Sequence, residues 1–209
     1  MTSHRQKYSL ALIALLGSVV LAAAILRKDK GHVTVVAVGA ARHAASGLPL
    51  RLRHAATGIE LALVCPGRFR AGADPGDLGA GEFAMPSHDV VITRAFYLGI
   101  TEVTVAQWSG QTEHQQLLSA EWAKPVHSVD LKAINSFLET HGFRLPTEAE
   151  WEFACRADAP EPDRAELDQF AWCNWGGGRT WNRAVDVHAV AQKRPNAWGF
   201  FGGFRKLCG

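Results

Sequence analysis

Hydrophobic and polar positions divide the chain into two textures. The first is an uninterrupted apolar run, Leu10 to Leu26 (LALIALLGSVVLAAAIL), with His4, Arg5 and Lys7 before it and Arg27, Lys28 and Lys30 after it. Counted from Tyr8, 19 residues at ~1.5 Å each would span ~28 Å, close to the ~30 Å hydrocarbon core of a bilayer. The run has no polar face at helical spacing, which argues against a helix of a soluble core. Two readings remain, an uncleaved membrane anchor or a signal peptide removed at the small residues Ala22-Ala23-Ala24. Either one places the rest of the chain outside the cytoplasm, membrane-anchored in the first case and secreted or periplasmic in the second.

The second texture begins at Gly58, where short apolar stretches alternate with turn residues. Ile59 to Val64 predicts a strand closed by Cys65-Pro66-Gly67, and Asp74 to Gly81 predicts a loop. Val90 to Ile92 and Phe96 to Ile100 predict two more strands. Thr104 and Gln107 fit a capping box opening a short helix that carries Trp108. Leu131, Ile134, Phe137 and Leu138 recur on one helical face, with Gly142 placed to end that helix. No regular strand-helix alternation appears, so an irregular α+β domain is expected rather than a doubly wound sheet. Between the two textures, residues 28–57 show a short strand candidate at Val33 to Val38 and otherwise neither periodicity, and they read as a spacer.

Arg144 to Arg156 (RLPTEAEWEFACR) is the most informative segment. Thr147 and Glu150 form a second capping box, so a helix should begin at Glu148, with Pro146 and Trp151 placed for a hydrophobic staple. Trp151, Ala154 and Cys155 then share one buried face, and Glu148, Glu152 and Arg156 run down the opposite one. Capping, the helix dipole and a Glu152–Arg156 pair account for these charges without a catalytic role.

Charge refines the picture. Residues 1–58 hold 8 Lys/Arg and one acid, while residues 59–209 hold 14 Lys/Arg and 19 acids, giving net charges of +7 and −5. A mildly acidic folded part repels phosphate, so no nucleic acid partner is expected. Cys65, Cys155, Cys173 and Cys208 contain no CxxC, and the nine His form no HxxH or HxxxH pair, so spacing gives little support for zinc. These cysteines read as buried thiols, with a Cys155–Cys173 disulfide as the alternative. His127 and Ser128 are neighbours without a third member, so no catalytic residue is nominated.

The segment Arg144 to Arg156 closely resembles the signature of the sulfatase-modifying factor family, the formylglycine-generating enzymes and their bacterial relatives. The resemblance extends to Gly58–Gly72 (GIELALVCPGRFRAG), Phe96–Trp108 (FYLGITEVTVAQW), Pro125–Ala133 and Arg194–Gly199 (RPNAWG). It departs at Ala71, where Met is usual, and after Val129, where a Trp is missing. It implies an irregular, C-type-lectin-like α+β fold over residues 58–209, following a signal or anchor segment (1–27) and the spacer (28–57). It also implies oxidation of a cysteine in an exported sulfatase to formylglycine by copper, O2 and a cysteine pair, a soft donor set suited to Cu(I).

That cysteine pair should lie downstream of the RPNAWG turn, and the sequence ends ten residues after Gly199. The domain is therefore expected to be incomplete at its C-terminus and to lack both copper and the oxidase activity. Phe200–Leu207 (FFGGFRKL) departs from the family's run, with Gly203, Lys206 and Leu207 in place of an Asn, a Glu and a Trp. Loss of that Asn and Glu removes oxygen ligands from one structural calcium site. By resemblance, a first calcium site is set on Asn174, Trp175, Asp186 and His188. Three functions then compete: an exported domain that binds a protein, peptide or carbohydrate, with Trp122, Trp172, Trp175, Trp181 and Trp198 as surface candidates; an active oxidase; or a poorly folding remnant.

Overall fold

The computed structural model describes residues 25–26, 33–74, 85–110, 120–159, 166–172 and 187–202. Eight strands are present among them: β1 (Ile25–Leu26), β2 (Val35–Ala37), β3 (Arg51–His54), β4 (Glu60–Val64), β5 (Gly67–Ala71), β6 (His88–Ile92), β7 (Phe96–Gly99) and β8 (Phe143–Arg144). Six of them form one antiparallel sheet in the order β2-β3-β4-β7-β1-β8, and β5 pairs with β6 separately. Four short helices accompany them, α1 (Val105–Ser109), α2 (Leu131–Thr140), α3 (Glu148–Arg156) and α4 (Leu167–Phe170), with a 3-10 turn at Ala120–Ala123.

The middle of the sheet, at β4 and β7, is buried on both faces. Along β4, Leu61 points to one core with Leu52, Val103, Ile134, Phe137, Leu138 and Phe143. Its neighbours Ala62 and Val64 point to a second core with Ile92, Phe96, Leu98, Phe153 and Phe200. This is the period-two alternation of a central strand, with apolar residues on both sides. α2 covers the first face and α3 the second. The β5–β6 pair closes on α3 through Phe69 and Phe153, whose ring centroids are 5.2 Å apart. Gly67 permits that approach, since a Cβ there would lie 2.7 Å from the Phe153 ring.

Local signals behave as the sequence predicts. Thr104 and Thr147 both cap their helices, with reciprocal bonds from Gln107 and Glu150. Asp130 caps α2 by accepting the Ala133 N–H at 2.7 Å, and Gly142 follows its last turn at φ +69°.

Three expectations change. Residues 33–57 are not simply a spacer, because β2 and β3 extend the sheet and Leu52 joins the first core. Leu131 stands at the exposed start of α2 rather than on its buried face. Glu152 belongs to the interior, only 7% exposed. The apolar run lies outside the described residues except for its last two, Ile25 and Leu26, which are paired as strand rather than helix. Among the described residues no helix is long and apolar enough to cross a membrane.

Candidate functional site

The motif residues that carry charge are bonded to one another and to the backbone. Arg144 lays its two terminal nitrogens on the Glu150 carboxylate at 2.7 and 2.6 Å. Glu150 also accepts the Thr147 N–H at 2.8 Å. Burial by itself would raise the Glu150 pKa, but the Arg144 guanidinium and the Thr147 donors outweigh it and hold the group below its ordinary range. Glu152 accepts the Gly72 N–H at 2.9 Å and two Arg156 nitrogens at 3.0 and 2.9 Å, while Arg156 returns a bond to the Gly72 carbonyl at 2.8 Å. The pair therefore fastens the end of β5 to α3.

Asn196, in the RPNAWG turn, is the counterpart at the C-terminal end of α3. Its amide donates to the carbonyls of Ala154 and Cys155 at 2.7 and 3.0 Å, and its oxygen accepts the N–H groups of Trp198 and Phe200 at 3.1 and 3.0 Å. A buried polar side chain with its bonds made closes the helix end and sets Phe200 in the second core. In the sequence this Asn carries only the resemblance, because its bonds to α3 join positions 42 and 41 apart and follow no local pattern.

Of the four residues set on a calcium site, only His188 is described; Asn174, Trp175 and Asp186 lie outside the described residues, as do Gly203, Lys206 and Leu207. The His188 ring stacks on Trp172 with centroids 3.7 Å apart and planes at 17°. Lys193 Nζ sits 4.0 Å from the centre of the same indole. Trp172 is still 47% exposed, so this cluster is a partly exposed aromatic surface with one cation, Lys193, over the indole. Lys193 has no motif spacing that would have marked it in the sequence. The other surface candidates divide: Trp122 is half-buried, Trp198 packs on the second core, and Trp175 and Trp181 lie outside the described residues.

A polar groove of about 230 Å³ lies elsewhere, lined by Arg53, Thr57, Glu60, Ile100, Thr101 and Gln107, and its two charges pair at 2.9 Å. His127 bonds Ser128 at 3.1 Å on the exposed surface, which leaves that pair a local turn contact. Among the described residues no group of three or more His, Cys, Asp or Glu could hold a metal ion.

Both described thiols lie upstream of the RPNAWG turn, outside the stretch where the resemblance places the copper-binding pair. Cys65 follows β4 in a half-buried position, and burial pushes its thiol pKa up, away from the ionised form that binds metal. Cys155 is packed in the buried face of α3. Cys173 and Cys208 lie outside the described residues, so the Cys155–Cys173 alternative does too.

A sulfatase-modifying factor enzyme 1-like domain matches residues 52–203. None of the curated proteins compared with the chain matches it. Two solved structures share its fold. PvdO from Pseudomonas aeruginosa aligns with a TM-score of 0.55 at 17% identity over 73% of this chain and 70% of that one. Treponema denticola variable protein 1 aligns with a TM-score of 0.54 at 18% identity over 73% of each chain.

Proposed function

This chain belongs to the sulfatase-modifying factor enzyme 1-like family, and on that premise we propose that it is an exported binding domain of the family rather than a protein-cysteine oxidase. The observation that carries the reading is the surface made by Trp172, His188 and Lys193. An indole that keeps about half its area in water favours a partner offering apolar or aromatic contact, and a peptide segment of an exported protein supplies it. The Arg144–Glu150 and Glu152–Arg156 pairs are occupied in holding α3 and are not offered to a substrate.

Export rests on the Leu10–Leu26 run and its basic flanks. Calcium at Asn174, Trp175, Asp186 and the His188 carbonyl belongs to the same proposal.

Binding tests the reading. Sets of short peptides rich in aromatic, aliphatic or polar side chains are passed over the immobilised protein. Retention of the aromatic set, abolished in Trp172→Ala with unchanged thermal stability, is the expected result. Equal retention of all sets, or of none, removes the binding proposal.

A further inference from the structure

The apolar run at the N-terminus does not stop where the fold begins, because its last two residues lie inside it. Ile25 pairs with Leu98 of β7 on one side and with Arg144 of β8 on the other, and Leu26 pairs with Phe143. A strand bonded on both sides is not an ornament on an edge. Without it, β7 and β8 would each present unpaired backbone groups next to the first core. Val33 also packs on the domain, against Gly142 immediately before β8, where a Cβ would overlap the Val33 side chain. Ile25–Leu26 and the chain from Val33 are therefore part of the domain.

That assignment changes the arithmetic of the run. A residue whose N–H and C=O serve a sheet cannot serve a membrane helix as well. Counted from Tyr8, the stretch that remains available to a helix falls to 17 residues, ~26 Å against the ~30 Å hydrocarbon core. The uncharged stretch Leu10–Ala24 has 15 residues, which fits the apolar region of a signal peptide, of ~7 to 15 residues. It is preceded by the basic group Arg5 and Lys7, and it ends in Ala22-Ala23-Ala24, small residues at the first and third positions before a cut.

We propose that the Ala24–Ile25 bond is a processing site and that Ile25–Leu26 is the new N-terminal strand that closes the sheet. The proposal rests on the export reading and is independent of the binding surface. The step is a hydrolysis by the signal peptidase of the exporting cell. Water adds across the amide, Ala24 leaves with a carboxylate, and Ile25 keeps an ammonium group. The position is bounded from both sides, since a cut after Leu26 would delete the strand and a cut before Ala22 would leave an apolar tail on the domain, and the small residues Ala22 and Ala24 select the Ala24–Ile25 bond within those bounds.

The test is N-terminal sequencing and intact mass of the protein recovered after expression of the full chain in a bacterium with a general secretion pathway. The expected product starts at Ile25 and is found outside the cytoplasm, whereas Ala24→Leu leaves the precursor in the membrane. A wild-type chain retaining residues 1–24 in the membrane with its domain outside would overturn the cut and leave export standing. A domain found in the cytoplasm would overturn export itself. A start beyond Leu26 would overturn the strand. In a second variant, Leu26→Pro, the cut is retained but the loss of one strand N–H lowers the melting temperature and the amide-exchange protection at Leu98 and Phe143. Unchanged values in that variant would contradict the role given to β1.

Discussion

Glu152 accepts the backbone N–H of Gly72 across eighty positions of sequence, at 2.9 Å. The bond explains why a carboxylate on α3 lies inside the protein. It sits between the end of β5 and the Arg156 guanidinium, and the three groups satisfy one another. Glu152→Ala leaves the Gly72 N–H without its acceptor and takes the carboxylate from Arg156. A loss of about 2 to 4 kcal/mol is expected in chemical denaturation. Glu152→Gln keeps an acceptor for Gly72 and is expected to lose less.

Asn196 closes the other end of the same helix. Asn196→Ala removes four bonds from a buried position, and unfolding free energy is expected to fall by about 2 to 4 kcal/mol. Asn196→Asp is not a repair, because an anion faces the carbonyl end of α3 and cannot donate to Ala154 or Cys155. An Asp variant as stable as the wild type, measured at neutral pH, would contradict this account of the turn.

A buried imidazole links stability to pH. His54 is 4% exposed, and its Nδ1 accepts the Thr57 N–H at 3.3 Å and bonds Thr57 Oγ1 at 2.8 Å. Desolvation, with a smaller contribution from the neighbouring His141, lowers its pKa from 6.5 to about 4. The unfolded chain therefore binds the proton first. Stability is undiminished above the unfolded value and falls as pH drops through the interval from 6.5 to about 4, by about 3 kcal/mol in total. His141, also lowered by burial, acts in the same direction. The depressed Glu150 carboxyl contributes its loss only further down, below its ordinary value of 4.5. His54→Asn is expected to flatten the upper part of this acid limb in a pH series of melting curves.

Gly142 joins the end of α2 to β8 at φ +69° with the Val33 side chain against it. Gly142→Ala combines a left-handed backbone with an overlap, and a destabilisation of about 1 to 3 kcal/mol is expected. If the melting temperature were unaffected, the packing of residues 33 onward on the domain would be in question.

What the sequence made legible was local. The two capping boxes place an acceptor and a donor three positions apart, so Thr104–Gln107 and Thr147–Glu150 can be read without knowing the fold. β3 was hidden because its inward residues are Leu52 and His54 and its outward ones Arg51 and Arg53. A buried histidine looks polar in any alternation, and it masks a half-apolar strand as a basic spacer. Glu152 was misplaced for a related reason: helix spacing puts it opposite Ala154, but not on the outside, because β5 and Gly72 cover that side of α3. Trp172 was legible as a surface candidate, whereas its contact with Lys193 joins positions twenty-one apart and follows no period.

The central claim, a family member that binds without oxidising, is tested most directly by mass spectrometry of a cysteine-containing sulfatase peptide incubated with the purified protein, copper and O2. The account predicts a peptide that keeps its thiol. A peptide carrying formylglycine, captured through its aldehyde and absent when the protein is omitted, would contradict it.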